Sequence, residues 1–389
     1  MNKIPFYTEF DYIELGNEFQ TQSNKEEIKN LLGEPDKSLE VYNDDFVAKV
    51  SADLTLEELD SQLKAFSKMT IIQAPARYKL SRILGEMYQP LEKRSVVGLD
   101  LLHLDASKTK AGGQVIKNVA GYDLRKLYLG SFNSLAIIRS AYIRLEKIPM
   151  LKLRLSYDYE NLNDLDFLKW RSLLDFDVNQ IEAKLTITKD FAYEASLPFT
   201  LNIDFYGLPD LLELRKTRIL EKTALDLNVL ISPFKKKYIN ADQFTVIFHL
   251  AFSQLQAFSE ELNSALRDLV KSSAIQGYIV DSANLTDAAE QTAVSQWPRG
   301  VLKMDIDLVN SLIKLEAKPD DFQFISESAA FKAINLKYQP VIRIRPLSYD
   351  NRIIERFLNL STSKDDLELL KLIKAKFDPE GRLNPGLLF

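Results

Sequence analysis

Glycine occurs 13 times in 389 residues, about 3% against an average near 7%. Glycine lets backbone N–H groups approach a phosphate closely and takes positive φ without penalty. A chain this poor in glycine has room for few nucleotide-cradling loops. Cysteine is absent, which removes disulfides, thiol nucleophiles, zinc–thiolate sites and cysteine-ligated iron–sulfur clusters together. The two histidines, His103 and His249, lie far apart in sequence. They leave little material for a metal centre or a Ser-His-Asp triad. No metal site is expected, and covalent flavin attachment is nearly excluded.

The length corresponds to two or three domains at about 150 residues each. Hydrophobic residues make up 46% and charged residues 27%, an ordinary globular balance. The net charge is −5, from 50 basic and 55 acidic residues, with the signs interspersed. Nucleic-acid binding is therefore not expected. No apolar run of about 18 residues exists, so direct membrane insertion is not expected either. The first residues, MNKIPFYTEFDYIEL, lack the apolar core of a signal peptide. The expected address is the cytoplasm, or the inner side of a membrane through a partner.

The apolar spacing organises the chain. Asn24 to Leu32 reads as a helix, and Glu40 to Val50 as a strand. Leu54, Leu56, Leu59, Leu63 and Phe66 form a helical stripe, with Thr55 and Glu58 as a capping box. Strands are expected over Thr70–Gln73, Ser95–Asp105 and Ser134–Ile148, with a turn at Gly112-Gly113 and a helix over Asn118–Leu129. Beyond Pro149, strands alternate with long helices. Leu151–Tyr157, Ile181–Ile187, Thr200–Tyr206, Asn228–Ile231, Tyr278–Asp281 and Val301–Ile306 read as strands. Leu208–Leu225 and Asp242–Val270 read as helices, the latter burying Leu255, Phe258, Leu262, Leu266 and Leu269. Phe331–Tyr338 and Pro340–Arg345 read as a strand pair, and Asp365–Phe377 as a last helix. The fold class is α+β, with helices on one face of an antiparallel sheet.

Two motifs carry the most specific information. The first is GGQVIKNVAGYDLRKLYLGSFNSLAIIRSAYIRL, from Gly112 to Leu145; the second is the C-terminal FDPEGRLNPG. The chain resembles the vanillyl-alcohol oxidase superfamily, with its PCMH-type FAD-binding domain. Within that group it looks most like the E subunit of bacterial glycolate oxidase (glycolate dehydrogenase). Lys117, Asn118, Ala120, Gly121, Tyr122 and Asp123 match the family's K-N-x-A-G-Y-D segment. Gly130, Ser131 and Leu135 match its G-S-L-G-x-L-G segment, and Phe377, Asp378, Pro379, Gly381, Asn384, Pro385 and Gly386 its closing motif. VAKVSADLTLEELDSQL, from Val47 to Leu63, resembles the strand and helix ahead of the family's second phosphate loop.

The resemblance implies a shortened PCMH-type FAD-binding domain over residues 1–148. An α+β cap or substrate domain would follow over 149–363, and a helix and tail over 364–389 would return to the first domain. It implies non-covalent FAD, bound weakly or lost. It also implies oxidation of a 2-hydroxy acid, with electrons passed to a larger flavoprotein subunit and an iron–sulfur subunit. The cofactor-binding positions carried over are Lys117, Asn118, Ala120, Gly121, Tyr122, Asp123, Gly130, Ser131, Ile137, Ile138 and Asn384. No catalytic residue is assigned.

The departures point elsewhere. The family's P-G-G-G-T segment has no counterpart, since only Gly16 and Gly33 precede Val47. Ile83-Leu84-Gly85-Glu86 and Gln89-Pro90-Leu91-Glu92 stand at the second phosphate loop with one glycine. Asn133 and Ala136 replace two family glycines, and Asn tolerates positive φ. Lys93, Arg94 and Lys117 are the cations on hand. A second reading is therefore a flavin-free structural or assembly subunit. Several positions also carry a plain reading. Lys117 reads equally as a surface lysine, Tyr122 and Asp123 as a packed ring and a helix cap, and Asn384 as an Asn-Pro-Gly turn. His103, His249, the Trp297-Pro298-Arg299 loop and the Lys235–Lys237 run read as structural or solvated.

Overall fold

A computed structural model describes residues 36–87, 90–114, 123–176, 178–187, 199–239, 245–271, 302–316, 325–345 and 364–383, with Asn30 and Phe322 besides. They divide into two compact units. One is N-terminal, with residues 237–239 and the C-terminal helix; the other is central and spans the rest of 149–345.

The N-terminal unit begins with the hairpin β1 (Leu39–Tyr42) and β2 (Val47–Ser51). Helix α1 (Leu56–Leu63) starts at the expected capping box: Glu58 N–H donates to Thr55 Oγ1 at 3.2 Å, and Thr55 N–H to Glu58 Oε2 at 2.9 Å. Leu54, Leu56, Leu59 and Leu63 are fully buried, whereas Phe66 is 46% exposed. The stripe ends at Leu63 because a 3-10 turn over Lys64–Phe66 changes the helical period. After β3 (Lys68–Met69) come α2 (Leu80–Glu86), α3 (Pro90–Ser95), β4 (Val96–Leu102), β5 (Lys108–Gly112), α4 (Arg125–Tyr128), β6 (Ile137–Arg144) and β7 (Glu146–Lys147). Five strands form an antiparallel sheet in the order β1-β2-β6-β4-β5, and β3 pairs with β7. Its core joins Val50, Leu59, Leu84, Leu99, Ala141 and Ile143.

The central unit is built on one sheet. Its elements are β8 (Leu151–Tyr159), α5 (Phe167–Arg171), β9 (Gln180–Ile187), β10 (Phe199–Gly207), α6 (Pro209–Thr223), β11 (Asn228–Pro233), β12 (Thr245–His249), α7 (Phe252–Lys271), β13 (Leu302–Asp307), β14 (Leu312–Glu316), α8 (Ala329–Tyr338) and β15 (Val341–Arg345). The eight strands run β11-β8-β10-β9-β13-β14-β12-β15, every pair antiparallel. Cross-strand partners share a face. Leu155, Ile203, Ile181, Ala183, Ile306, Ile313 and Phe248 lie on one face by register. Leu255, Phe258, Leu262 and Leu266 of α7 are buried as the spacing predicts. Phe258 meets Phe248 and Tyr338 at ring separations of 5.5 Å.

Several expected elements differ. Glu40–Val50 is a hairpin, not one strand, because residues 43–46 turn, with Phe46 at φ 53°. The short strand lies at Lys68–Met69, ahead of Thr70. Gly112-Gly113 closes β5; the turn falls at His103–Ser107, where Ala106 takes φ 63° and Ser107 N–H donates to Asp105 Oδ1. Only one helical turn, α4, forms in the described part of 118–129. Residues 245–249 are a strand that pairs on both edges, so His249 stands in a sheet and α7 begins at Phe252. Phe331–Tyr338 is helix: Ser328 caps it by accepting from Phe331 N–H at 3.1 Å, and Phe331, Ile334 and Tyr338 bury at helical spacing. Its aromatic and β-branched content masked that period. The expected elements at 24–32 (Asn30 excepted) and 278–281, and the 297–299 loop, lie outside the described residues.

The last helix, α9 (Lys364–Phe377), belongs to the N-terminal unit, where Ile373 and Phe377 pack on the core.

Candidate functional site

The described part of the candidate site is the loop from Leu129 to Ala136 and its neighbours. Gly130, Phe132 and Asn133 have φ of 83°, 56° and 52°. Only glycine enters that region freely, and Asn tolerates it better than most residues. A Cβ on Gly130 would stand 2.5 Å from the Met87 carbonyl oxygen, so glycine is required there. Ser131, Phe132, Asn133 and Ser134 are all buried. The loop folds onto α2: Gly130 N–H donates to Leu84 O at 3.0 Å, Phe132 N–H to Gly85 O at 2.9 Å, and Asn133 Nδ2 to Ser81 O at 3.0 Å. Ser131 Oγ donates to Tyr128 O at 2.8 Å.

Ile137 and Ile138 open β6 opposite Leu102 and Leu101, and both are buried. Asp123 does not cap α4. Its carboxylate takes both Arg125 Nε at 2.7 Å and Nη2 at 2.9 Å, and Arg125 Nη1 reaches Val96 O at 2.7 Å. The hydrogen bond from Arg125 holds the Asp123 carboxyl below the usual range, against a smaller opposing effect of burial. Asp123 thus fastens the start of α4 to β4. Lys117, Asn118, Ala120, Gly121, Tyr122 and Asn384 lie outside the described residues.

The first part of the segment standing at the second phosphate loop is helical. Ile83, Leu84, Gly85 and Glu86 are buried inside α2. The first donors of that helix are already taken: Leu80 N–H by Leu54 O at 2.8 Å, and Ser81 N–H by Ala52 O at 2.9 Å. Arg82 pairs with Glu86 at 3.1 Å and lies 3.7 Å over the Tyr78 ring. The space above Gly85 is filled by Asn133 and that above Gly98 by Gly113.

Tested against FAD, these residues fit in part. The Gly130–Ile138 wall keeps its positive-φ backbone. Lys93 Nζ lies 3.3 Å from where a Cβ on Gly130 would stand, so a cation is present beside the glycine. Asn133 Oδ1 and Ser81 Oγ are sealed and unpartnered, which suits a polar guest or an internal water. A backbone nest for the pyrophosphate is missing among the described residues, because the N–H groups that would form it are spent on the chain's own carbonyls.

His103 accepts or donates to Thr109 Oγ1 at 2.8 Å and stacks on Phe377 at 6.2 Å, the satisfied arrangement the plain reading expects. Among the described residues no group of three or more metal-ligating side chains forms.

The central unit also holds a charged array that the apolar spacing does not point to. By register, Arg154, Asp204 and Gln180 form one cross-strand row; Asn202, Glu182 and Asp307 form the next; Lys184, Asp305 and Lys314 a third. Asp204, 1% exposed, binds Lys152 Nζ at 2.6 Å and Arg154 Nε at 2.7 Å. Burial lifts its pKa, and the Arg154 and Lys152 hydrogen bonds and charges more than reverse that, holding the carboxyl below the usual range. Burial, then Glu182 and Glu316, push Asp305 well above it. Burial also raises Asp307 and Glu316. The signal was legible: KLRLSYDY, QIEAKLTI and LKMDID place polar residues at every second position.

The fold resembles that of PCMH-type FAD-binding enzymes. Two crystal forms of alkyldihydroxyacetonephosphate synthase superpose with TM-scores of 0.57 and 0.56 at 12% identity, covering 90% of this chain and 65% and 66% of theirs. Glycolate oxidase subunit GlcD of Bacillus subtilis (strain 168) is 24% identical over 309 residues, 76% of this chain and 63% of GlcD. The chain thus spans under two thirds of these relatives. GlcD is a subunit of the same enzyme whose E subunit the motifs resemble. No family model matches the chain. Among the described residues no helix is long and apolar enough to cross a membrane.

Proposed function

We propose that this chain is a subunit of an FAD-linked oxidoreductase acting on a 2-hydroxy acid. The similarity to GlcD across 76% of the chain carries the reading. On it, residues 1–148 with the tail 364–389 form the flavin-type domain, and 149–363 the cap. Lys117, Asn118, Ala120, Gly121, Tyr122, Asp123, Gly130, Ser131, Ile137, Ile138 and Asn384 line the cofactor, with Asp123 acting through Arg125. When bound, FAD supplies the two-electron acceptor. A larger flavoprotein subunit and an iron–sulfur subunit carry the electrons onward, and the absence of cysteine here agrees with clusters residing elsewhere.

A second reading, a flavin-free assembly subunit, is favoured by one observation: the first α2 donors and the spaces above Gly85 and Gly98 are occupied by the chain itself. Titration with FAD, followed by flavin fluorescence, separates the two. Charge-assisted hydrogen bonds contribute about 1.5–3 kcal/mol each, so losing two of them with the missing nest weakens binding by roughly two to four orders of magnitude. Partial flavin on purification, or uptake only with a partner subunit, is the expected result. No binding in either setting moves the assignment to the flavin-free subunit.

A further inference from the structure

Lys374 sits on α9, and its side chain is 14% exposed. Its ammonium donates to Ser134 O, Asp378 Oδ2 and Leu383 O, each at 2.6 Å. An ammonium has three N–H donors, and all are spent. The partners lie on two pieces of the site, the loop and the turn after α9. Ser134 closes the loop that begins at Gly130, with its N–H donating back to Ser131 O at 3.0 Å. Asp378, whose side chain is fully buried, folds the DPEGRL turn by accepting from Arg382 N–H at 2.9 Å and Leu383 N–H at 2.7 Å. Leu383 packs with Leu102 and Ile137.

We propose that Lys374 is a positioning residue: it latches the Asp378–Leu383 turn to the Gly130–Ala136 loop, so that the loop wall and the turn are held together for the cofactor. The loop has no other charged group bonded to its Ser134 carbonyl among the described residues. The latch joins segments 240 residues apart in sequence at the Ser134–Lys374 bond. The proposal rests on the FAD reading for its purpose, not for its geometry.

The test uses the full chain with Lys374→Met, which keeps the length and removes the donors, and Lys374→Arg, which keeps the charge. Hydrogen exchange is read over 129–138 and 377–383, with 151–187 as the internal control. FAD affinity is read in parallel, with the partner subunit if the isolated chain needs it. Lys374→Met is expected to speed exchange at least tenfold in both segments, with the control unchanged, and to weaken FAD at least tenfold; Lys374→Arg recovers part of both. Faster exchange in the tail alone overturns the latch. Unchanged FAD affinity in Lys374→Met overturns the positioning role while leaving the FAD reading intact. If the wild type takes no FAD in any setting, the FAD reading and the positioning role fall together, and the exchange data decide the latch alone.

Discussion

The Asn133 side-chain nitrogen lies 2.9 Å from the place a Cβ on Gly85 would occupy. The two residues sit on different segments, and the glycine is what lets the buried loop press against α2. Gly85→Ala is expected to destabilise by up to about 2 kcal/mol, since overpacking costs roughly 1–3 and the helix-propensity gain returns about 1. Gly85→Ala with Asn133→Gly frees the space and keeps the positive φ, so urea melts should show at least half the loss recovered. A double variant no better than the single one would show that the contact is not the cause.

Asp204 holds two cations in the sheet of the central unit. Asp204→Ala takes the shared carboxylate away from both, and breaking a buried pair in this way costs about 3–5 kcal/mol. Arg154 keeps 26% of its side-chain surface in water, which places the expected loss at the low end of that range. Chemical denaturation measures it, and a loss under about 1 kcal/mol would mean that both cations escape to solvent.

Asp305 has its pKa raised in the fold, by burial first and by Glu182 and Glu316 next, with Lys184 and Lys314 opposing. The bound proton stabilises the fold below the unfolded value of about 3.9, and that stabilisation is lost as pH rises through the higher folded value. Asp305→Asn lacks the term. Its stability relative to wild type should therefore grow in urea melts as pH rises above the unfolded value. A difference that stays flat over that rise would refute the shift.

Leu262 is fully buried on α7, whereas Leu269 is only half-buried. Leu262→Ala should cost about 2–5 kcal/mol and Leu269→Ala clearly less. Equal losses in matched melts would mean that the stripe does not face the core.

The α1 stripe and its capping box, the α7 stripe and most strands of the central sheet were legible, because local spacing decides them. Phe331–Tyr338 was misread because aromatic and β-branched residues suggest strand, while the burial of Phe331, Ile334 and Tyr338 by α7 selects helix. His249 differs for the opposite reason: a short stretch with three apolar residues, Val246 to Phe248, fits either period until neighbouring strands claim it.

By itself, the sequence determined the absence of thiol chemistry, the scarcity of glycine, the alternating strands and helices, and the two motifs. These are properties of residue type and order. Tertiary structure decided the rest, because hydrogen-bond donors are assigned by what lies opposite them. Whether α2 offers its first N–H groups to a phosphate depends on Ala52 and Leu54, which accept them. Whether the closing motif touches the glycine loop depends on Lys374 reaching Ser134. No local pattern encodes either contact, since each joins segments distant in the chain.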